Sequence, residues 1–253
     1  IQAVSGFADA HPDVATGEPK LLQTLLCDKI TALTASQAVC AALHARATTG
    51  EGQKIELSML DAAVSFLWPE AFYNHSFLDA KPPAAPEFGA SQRLWQCHDG
   101  WFAMITPQDD EFMAMCRVLG KPDLKEDPRF ANIILRRNHH NELRDILDPL
   151  VLKESVHDLV ARLGAAGVPV GKVNHKKDLA QDPQIQHNHT LSDTTYPDVG
   201  RVRSPRAAAI FPGADMPPPA LAAHLGEHTR TILQELGRSS EAVDALYASG
   251  AVR

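Results

Sequence analysis

The longest regular pattern in the sequence is helical and lies near the N-terminus. Apolar or small residues recur at steps of three and four from Leu26 to Leu43, which is the period of a helix with one apolar stripe. Alanines are dense over the same stretch, and small side chains on all sides allow neighbouring elements to approach closely. Gly50 and Gly52 follow, and glycine is common just beyond a helix C-terminus. The pattern predicts a buried helix over residues 28–47.

The next segment changes from a helical period to strict alternation. Ile55, Leu57 and Met59 fall on one face of an extended chain, and polar residues fall on the other. Such alternation is typical of a half-buried strand. Asp61 then stands where a helix N-cap is favoured, before an apolar run that reaches Trp68. Helix, tight turn, strand and helix in this order indicate α/β architecture.

A second region with its own pattern begins after a proline-rich stretch, residues 79–90, which predicts a linker. Residues 94–97 and 101–104 are rich in aromatic and apolar side chains and flank Asp99-Gly100, which is a hairpin signal. Three helical patterns and a short strand follow, at residues 109–119, 138–148, 154–166 and 167–173. We interpret residues 91–190 as one compact α+β unit.

The last part of the chain is again rich in proline and ends in two short helical patterns, at residues 228–236 and 240–248. No internal repeat is visible. These changes of pattern predict four parts of the chain, which are residues 1–78, the linker 79–90, the α+β unit 91–190, and a linker with C-terminal helices over 191–253.

Composition narrows the function classes. The 253 residues are 44% hydrophobic and 22% charged, with a formal net charge of −7, so the chain as a whole offers no basic surface for nucleic acid. No apolar run approaches the roughly 18 residues that span a bilayer, and we expect no membrane partner. The chain starts at Ile1 without the features of a signal peptide, and we expect it to be a trimmed or processed chain, a fragment of a longer protein, or a half whose N-terminal partner is a separate gene product.

The thiols and imidazoles do not form a recognisable metal or disulfide pattern. The four cysteines stand at wide spacings without a C-x-x-C pair, which favours reduced thiols in a cytoplasmic protein. The histidine pairs, His139-His140 and His187 with His189, lack the spacing and the fourth partner of a zinc site. We therefore predict no metal centre.

Asp28 is the candidate catalytic residue, and its own surroundings support two interpretations. An aspartate at the start of a helix is commonly a cap that accepts backbone N–H bonds. The same position favours the ionised carboxylate through the helix dipole, and an ionised carboxylate beside a buried helix can act as a nucleophile or a base. The residues alone leave both interpretations open.

Five segments in order resemble the class III CoA-transferases of the CaiB/BaiF type. The first, LLCDKITAL at residues 25–33, is similar to the segment that carries the family's active-site aspartate. The others are AALHARATTGEGQ at 41–53, DPRF at 127–130, AGVPVGKV at 166–173 with DPQ at 182–184, and LGEHTR at 225–230. The resemblance extends from end to end of the chain.

The resemblance implies an α/β fold in which part of a Rossmann-like large domain (residues 1–78) and a smaller α+β domain are joined by proline-rich linkers. The C-terminal helices return to the large domain. It also implies that the family's N-terminal segment, with most CoA contacts, is absent from this sequence. An interlocked homodimer is expected where that segment is present.

The activity implied by the resemblance is transfer of CoA from an acyl-CoA thioester to a carboxylic acid. Asp28 would attack the thioester and form an aspartyl-acyl anhydride, with acyl-CoA as substrate and no permanently bound cofactor. Lys29 and Lys54 would neutralise CoA phosphates, although solvated lysines are common at such positions. The loop at residues 87–92 lacks the glycine run of formyl-CoA:oxalate enzymes, which argues against oxalate as acceptor.

Two alternatives remain. An α-methylacyl-CoA racemase shares the fold and the aspartate but uses two bases, and Asp109 lies roughly where that branch has a glutamate. The local residues after Cys27 favour the transferase. Asp109 belongs to an acidic cluster, residues 109–111, that also suits a helix N-terminus. The other alternative is an inactive or partner-requiring half of a CoA-transferase.

Overall fold

The computed structural model describes residues 1–13, 15–79, 87, 89, 92–196, 198–213 and 222–253. The chain divides into two compact units, Ile1–Val173 and Asn174–Arg253. Most of the predicted linker at 79–90, part of the loop at 87–92, and the proline run at 217–219 lie outside the described residues. The predicted division into four parts stays a prediction.

Both units consist of helices and short strands. The first unit contains α1 (Phe7–Ala10), α2 (Leu26–Thr49), α3 (Met59–Ala71), β1 (Trp95–Cys97), β2 (Gly100–Met104), α4 (Asp109–Val118), α5 (Ile133–Asn138), α6 (His140–Val151), α7 (Val156–Ala165) and β3 (Val170–Lys172). The second contains α8 (Pro183–His187), β4 (Leu191–Tyr196), β5 (Gly200–Pro205), α9 (Thr229–Glu235) and α10 (Ser240–Ala248). Short 3-10 helices lie at Tyr73–His75, Pro122–Glu126, Pro128–Phe130 and Leu179–Gln181.

The predicted hairpin and the strand that follows it are confirmed. Strands β1, β2 and β3 form an antiparallel sheet in that order. Cys97 pairs with Gly100, so the turn consists of two residues, as the Asp-Gly signal predicts. Met104 pairs with Val170, which brings the end of α7 back to the hairpin.

The main hydrophobic core of the described residues lies between this sheet and the helices around it. Helix α7 packs on β2 and β3, and α6 packs on β1. The core includes the fully buried side chains Phe102, Phe112, Phe130, Leu147 and Leu159. Alternation in the hairpin and the helical period in α4, α6 and α7 together direct these residues inward.

A smaller core forms where α2 crosses α3. Cys27 and Ile30 from the first turns of α2 are buried together with Phe7, Ala62 and Ala63. Beyond these two residues the described part of α2 buries no side chain. The expectation of a buried helix is therefore wrong for most of its length, because the described chain supplies only α3 and the segment before α2 as neighbours.

The strand predicted for residues 53–59 is not present. Residues 51–58 have no regular secondary structure, and α3 begins at Met59. Its N-cap is Ser58, whose hydroxyl accepts a hydrogen bond from the N–H of Asp61, so Asp61 is not the cap. A strand needs a paired neighbour, and none of the described strands pairs with this segment.

The second unit contains a hairpin that the sequence pattern does not predict. Strands β4 and β5 pair from Leu191 with Pro205 to Tyr196 with Gly200, within a stretch interpreted as linker. Cross-strand ion pairs from the Asp193 carboxylate stabilise the hairpin, and hydrogen bonds from Arg203 and then Arg201 lower the pKa of Asp193 to about 2. The predicted C-terminal helices are confirmed as α9 and α10.

Two general properties follow from the described ranges. None of their helices has the length and apolar content required to cross a membrane. All four cysteines lie in these ranges and are free thiols. Burial raises the pKa of Cys97, and it raises that of Cys116 to about 11, so both thiols are protonated at neutral pH.

Asp99, in the hairpin turn, connects the sheet to α7. One carboxylate oxygen accepts the N–H of Val156 at 2.8 Å, and the other accepts the hydroxyl of Ser155 at 3.0 Å. The bond from Val156, followed by that from Ser155, holds the pKa of Asp99 below its usual range. A side chain from the turn thus satisfies a donor at the N-terminus of α7 that the helix itself leaves free.

We expect Leu159→Ala to lower the free energy of unfolding by about 2–5 kcal/mol, because Leu159 is fully buried in the main core and truncation leaves a cavity. Leu152→Ala is the matched control, since Leu152 is half exposed, and should change the stability by less than about 1 kcal/mol. Urea unfolding followed by tryptophan fluorescence measures both. Equal losses would contradict the assignment of the core.

We expect Asp99→Asn to be less stable than the wild type at neutral pH, with a difference that shrinks as the pH falls below the usual range of an aspartate. The folded-state pKa of Asp99 is lowered, so its contribution is present above the unfolded-state pKa and is lost as the pH falls through the folded-state value. Thermal unfolding from pH 3 to pH 7 measures the difference. Asp145→Asn, an exposed change on α6, should show no such dependence.

Candidate active site

Asp28 occupies the third position of α2 and projects outward from its first turn. The helix begins after Leu25, which provides no side-chain cap. Cys27 and Ile30 on either side are each 5% exposed and belong to the small core. Successive helical residues are separated by about 100° around the axis, so burial of these two residues directs Asp28 toward solvent. Asp28 is exposed, and the interpretation of it as an N-cap is wrong because it lies inside the helix.

The carboxylate of Asp28 makes no hydrogen bond or ion pair with any residue that the structure describes. The α2 terminus also lacks a side-chain acceptor for its free N–H groups. In α3, by contrast, Ser58 accepts the N–H of the third helical residue. Unsatisfied N–H groups and the helix dipole favour negative charge at this end of α2. The described part of the chain therefore presents an exposed, unpaired carboxylate next to open backbone donors.

Gln2 fixes the segment that leads into α2, a role that the sequence pattern does not predict. Its amide nitrogen donates to the carbonyl oxygens of Leu22 and Thr24 at 3.1 and 3.0 Å. Its amide oxygen accepts the N–H of Leu22 at 2.9 Å. These three bonds connect residues about twenty positions apart. No local pattern around Gln2 signals this role, because its partners are backbone groups.

The two lysines named as CoA contacts differ in their surroundings. Lys29 is exposed beside Asp28 and makes no side-chain bond to a described residue. Lys54 forms an ion pair with Glu56, and both side chains are largely exposed. An exposed pair of this kind contributes little stability. Contact of either lysine with a CoA phosphate stays a prediction. The Glu56 carboxylate already partly neutralises the charge of Lys54.

Asp109 has a structural partner. Its carboxylate accepts a hydrogen bond from the buried guanidinium of Arg136 at 2.7 Å. Glu111 closes the first turn of α4 in a capping box with Gln108, so the acidic cluster lies at a helix N-terminus, as its dipole preference predicts. Asp109 is thereby engaged as a counterion through one of its carboxylate oxygens.

No cluster of three or more potential metal ligands occurs in the described ranges. His139 contacts Glu142, and His140 contacts the carbonyl oxygen of Arg137. His189 has a positive φ of 49°, a conformation in which residues other than glycine are uncommon. The contacts of His139 and His140 are with residues three positions away along the chain, and they do not converge on one point.

The chain has clear relatives. A family model described as CoA-transferase family III matches residues 1–229. The chain is similar to succinyl-CoA–D-citramalate CoA-transferase of Chloroflexus aurantiacus, with 26% identity over 93% of this chain and 58% of the relative. It is also similar to succinyl-CoA:glutarate CoA-transferase of Mus musculus, with 28% identity over 93% of this chain and 55% of the relative. The chain thus spans little more than half the length of these relatives.

The fold is also found among solved structures. The crystal structure of a CaiB/BaiF family protein from Brucella suis superposes on this chain with a TM-score of 0.72. The identity is 26%, and the match covers 93% of this chain and 61% of that one. Together with the mixed helices and strands, this likeness confirms the α/β fold class.

We expect Asp28→Asn to change the free energy of unfolding by less than about 0.5 kcal/mol, because Asp28 is exposed and caps nothing in the described residues. Ser58→Ala removes an N-cap that is present and should cost about 1 kcal/mol. Thermal or urea unfolding of the two variants provides the comparison. A loss for Asp28→Asn as large as that for Ser58→Ala would show that Asp28 has a structural role.

Proposed function

Because the chain belongs to CoA-transferase family III, we propose that it carries the nucleophile of a CoA-transferase and that this nucleophile is Asp28. The family resemblance drawn from the sequence is confirmed by the family model. The observation that supports Asp28 is its exposed, unpaired carboxylate at the third position of α2, held there by buried neighbours. A nucleophile needs a free lone pair and a fixed position, and Asp28 combines both.

The proposed reaction begins with attack on the thioester. A carboxylate oxygen of Asp28 forms a bond to the thioester carbonyl carbon, the carbon–sulfur bond breaks, and CoA leaves as the thiolate. The thiolate then attacks the side-chain carbonyl carbon of Asp28 in the anhydride. The donor acid departs as a carboxylate, and CoA becomes attached to Asp28 as a thioester.

The second half of the reaction repeats these steps with the acceptor. The acceptor carboxylate attacks the aspartyl thioester, releases the CoA thiolate and forms a second anhydride. The thiolate attacks the acceptor's acyl carbon, which yields the new acyl-CoA and restores the Asp28 carboxylate. Each step exchanges one anion for another, so the cycle requires no net proton transfer and no redox partner.

The α2 terminus supplies electrostatic help for these steps. Each attack places negative charge on a carbonyl oxygen, and preorganised N–H donors stabilise such an oxyanion. The free N–H groups of the first turn of α2 are donors of this kind, since no side chain caps them. Gln2 contributes indirectly because it fixes the backbone at Leu22 and Thr24 just before the helix.

The relatives suggest which donor to test first. Both curated relatives named above act on succinyl-CoA by name, one with D-citramalate and the other with glutarate. We therefore propose a short dicarboxylic acyl-CoA as donor and a carboxylic acid as acceptor. The assignment of Lys29 and Lys54 to CoA phosphates, the homodimer and the cytoplasmic location stay predictions.

Covalent trapping tests the proposal. The chain, and any longer gene product that contains it, is incubated with succinyl-CoA and quenched with hydroxylamine or borohydride, and the modified peptide is mapped by mass spectrometry. We expect modification of Asp28 and none in Asp28→Asn. Turnover of the active form should fall by roughly a thousandfold or more in that variant, as for other catalytic nucleophiles.

Asp61→Asn is the matched control, because Asp61 is the exposed third residue of α3 just as Asp28 is of α2. This variant should retain both labelling and turnover. If neither the chain nor the longer gene product is labelled, and deuterium is taken up at the acyl α-carbon, the transferase proposal is overturned in favour of racemisation. A label that survives in Asp28→Asn would place the nucleophile elsewhere.

A further inference from the structure

A cavity in the first unit is lined by none of the residues to which the chemistry of Asp28 is assigned, and its lining includes Gly89 and Gln92 of the loop at residues 87–92. It has a volume of about 560 Å³, which is within the range of small-molecule sites. Its walls come from the hairpin β1–β2 and its flanks on one side and from α5 and α6 on the other. These walls belong to the sheet and helices that surround the main core, so the backbone around the cavity is well packed.

One part of the cavity is apolar. Leu94, Met104, Ile105, Ile133 and Leu143 contribute aliphatic surface. Of these, Met104 and Leu143 are partly buried against the main core. Leu94 and Ile105 are about half exposed, which leaves apolar surface available to a bound molecule. A ligand with an apolar body would cover this surface, and the burial of apolar area would strengthen its binding.

Arginines form the other part of the lining. Two of them, Arg136 and Arg144, are held in place by ion pairs. Arg144 lies with its guanidinium carbon 4.0 Å from the centroid of the Trp95 ring, and it bonds the carbonyl oxygen of Leu94 and the carboxylate of Asp148. Stacking and ion pairing hold this cation in one geometry.

Arg136 is buried more deeply and has an unsatisfied donor. It is 5% exposed, pairs with Asp109 at 2.7 Å and lies over the ring of Phe112. Its Nε has no hydrogen-bond partner. A buried donor without a partner is uncommon in proteins and needs an explanation.

The remaining two arginines of the lining are not neutralised. Arg93 and Arg137 form no hydrogen bond or ion pair through their side chains with any described residue. Among the described residues that line the cavity there is no aspartate or glutamate. Because Asp109 and Asp148 balance only Arg136 and Arg144, the cavity has an excess of positive charge within a chain of net charge −7.

We propose that this cavity binds an organic anion with an apolar body, and that Arg93 and Arg137 hold its headgroup. Guanidinium groups present paired N–H donors that match both carboxylate and phosphate oxygens, so either headgroup has the required chemistry. The apolar part of the ligand lies against the aliphatic wall formed by Leu94, Ile105 and Ile133. This binding site goes beyond the acyl transfer proposed for Asp28.

Isothermal titration calorimetry with three probes of equal chain length tests the proposal. The probes are octanoate, octyl phosphate below its micelle-forming concentration, and uncharged octanamide. We expect saturable binding of at least one anion with one site per chain, and at least tenfold weaker binding of octanamide. Whether octanoate or octyl phosphate binds more tightly identifies the headgroup.

Variants separate the cavity from nonspecific charge effects. The double variant Arg93→Gln/Arg137→Gln should weaken anion binding at least tenfold and leave octanamide binding unchanged. Arg117→Gln, an exposed arginine on α4 outside the cavity lining, should bind as the wild type does. Circular dichroism checks that the variants remain folded, as expected for two exposed side chains without partners.

The proposal is overturned if no anion binds saturably, if octanamide binds as tightly as the anions, or if the double variant retains wild-type affinity. None of these measurements uses CoA or turnover. Failure of covalent labelling at Asp28 would therefore leave this result intact, and failure of anion binding would leave the assignment of Asp28 intact.

Discussion

Burial of Cys27 and Ile30 against Ala62 and Ala63 is the contact on which the candidate active site depends. The alanines allow α2 and α3 to approach closely. In the described part of α2, Cys27 and Ile30 are the only buried residues. Since they flank Asp28 in the helix, the same contact that fixes α2 determines the direction of the carboxylate. A weakly buried helix thus has its one well-packed turn at the proposed nucleophile, a kind of residue that needs a fixed geometry.

Elements with a local cause were predictable from the sequence. The hairpin follows from an Asp-Gly pair between apolar runs, and α10 begins with a serine cap at Ser239 whose hydroxyl accepts the N–H of Ala242. Gly50 ends α2 with a φ of 80°, which glycine adopts without steric cost. In each case the signal and the structure it specifies lie within a few residues. The assignment of Asp28 came from the resemblance, because the residues alone equally suited a cap.

Elements whose cause is distant were missed or misinterpreted. The alternation at residues 53–59 satisfies the pattern of a strand, but a pattern does not supply the neighbour with which a strand pairs. The bonds from Gln2 to the segment before α2 are made to backbone groups, which every residue possesses, so no side-chain pattern reveals them. In the hairpin β4–β5, Asp193 forms ion pairs with two arginines that lie eight and ten positions further along, and no local pattern identifies these partners in advance.

The electrostatics of the chain show why net charge is a poor guide to its ligands. A formal charge of −7 argues against binding to nucleic acid, yet it does not describe local fields, which fall off within about 10 Å at ordinary ionic strength. The described residues contain two places that favour anions by different means. At the start of α2 the donors are backbone N–H groups, which carry only partial charge and suit a transient oxyanion. In the cavity the donors are full guanidinium charges, which suit a ligand that stays ionised throughout its residence. The two kinds of donor therefore suit the two proposed events, a charge that develops during reaction at Asp28 and a charge that is bound in the cavity.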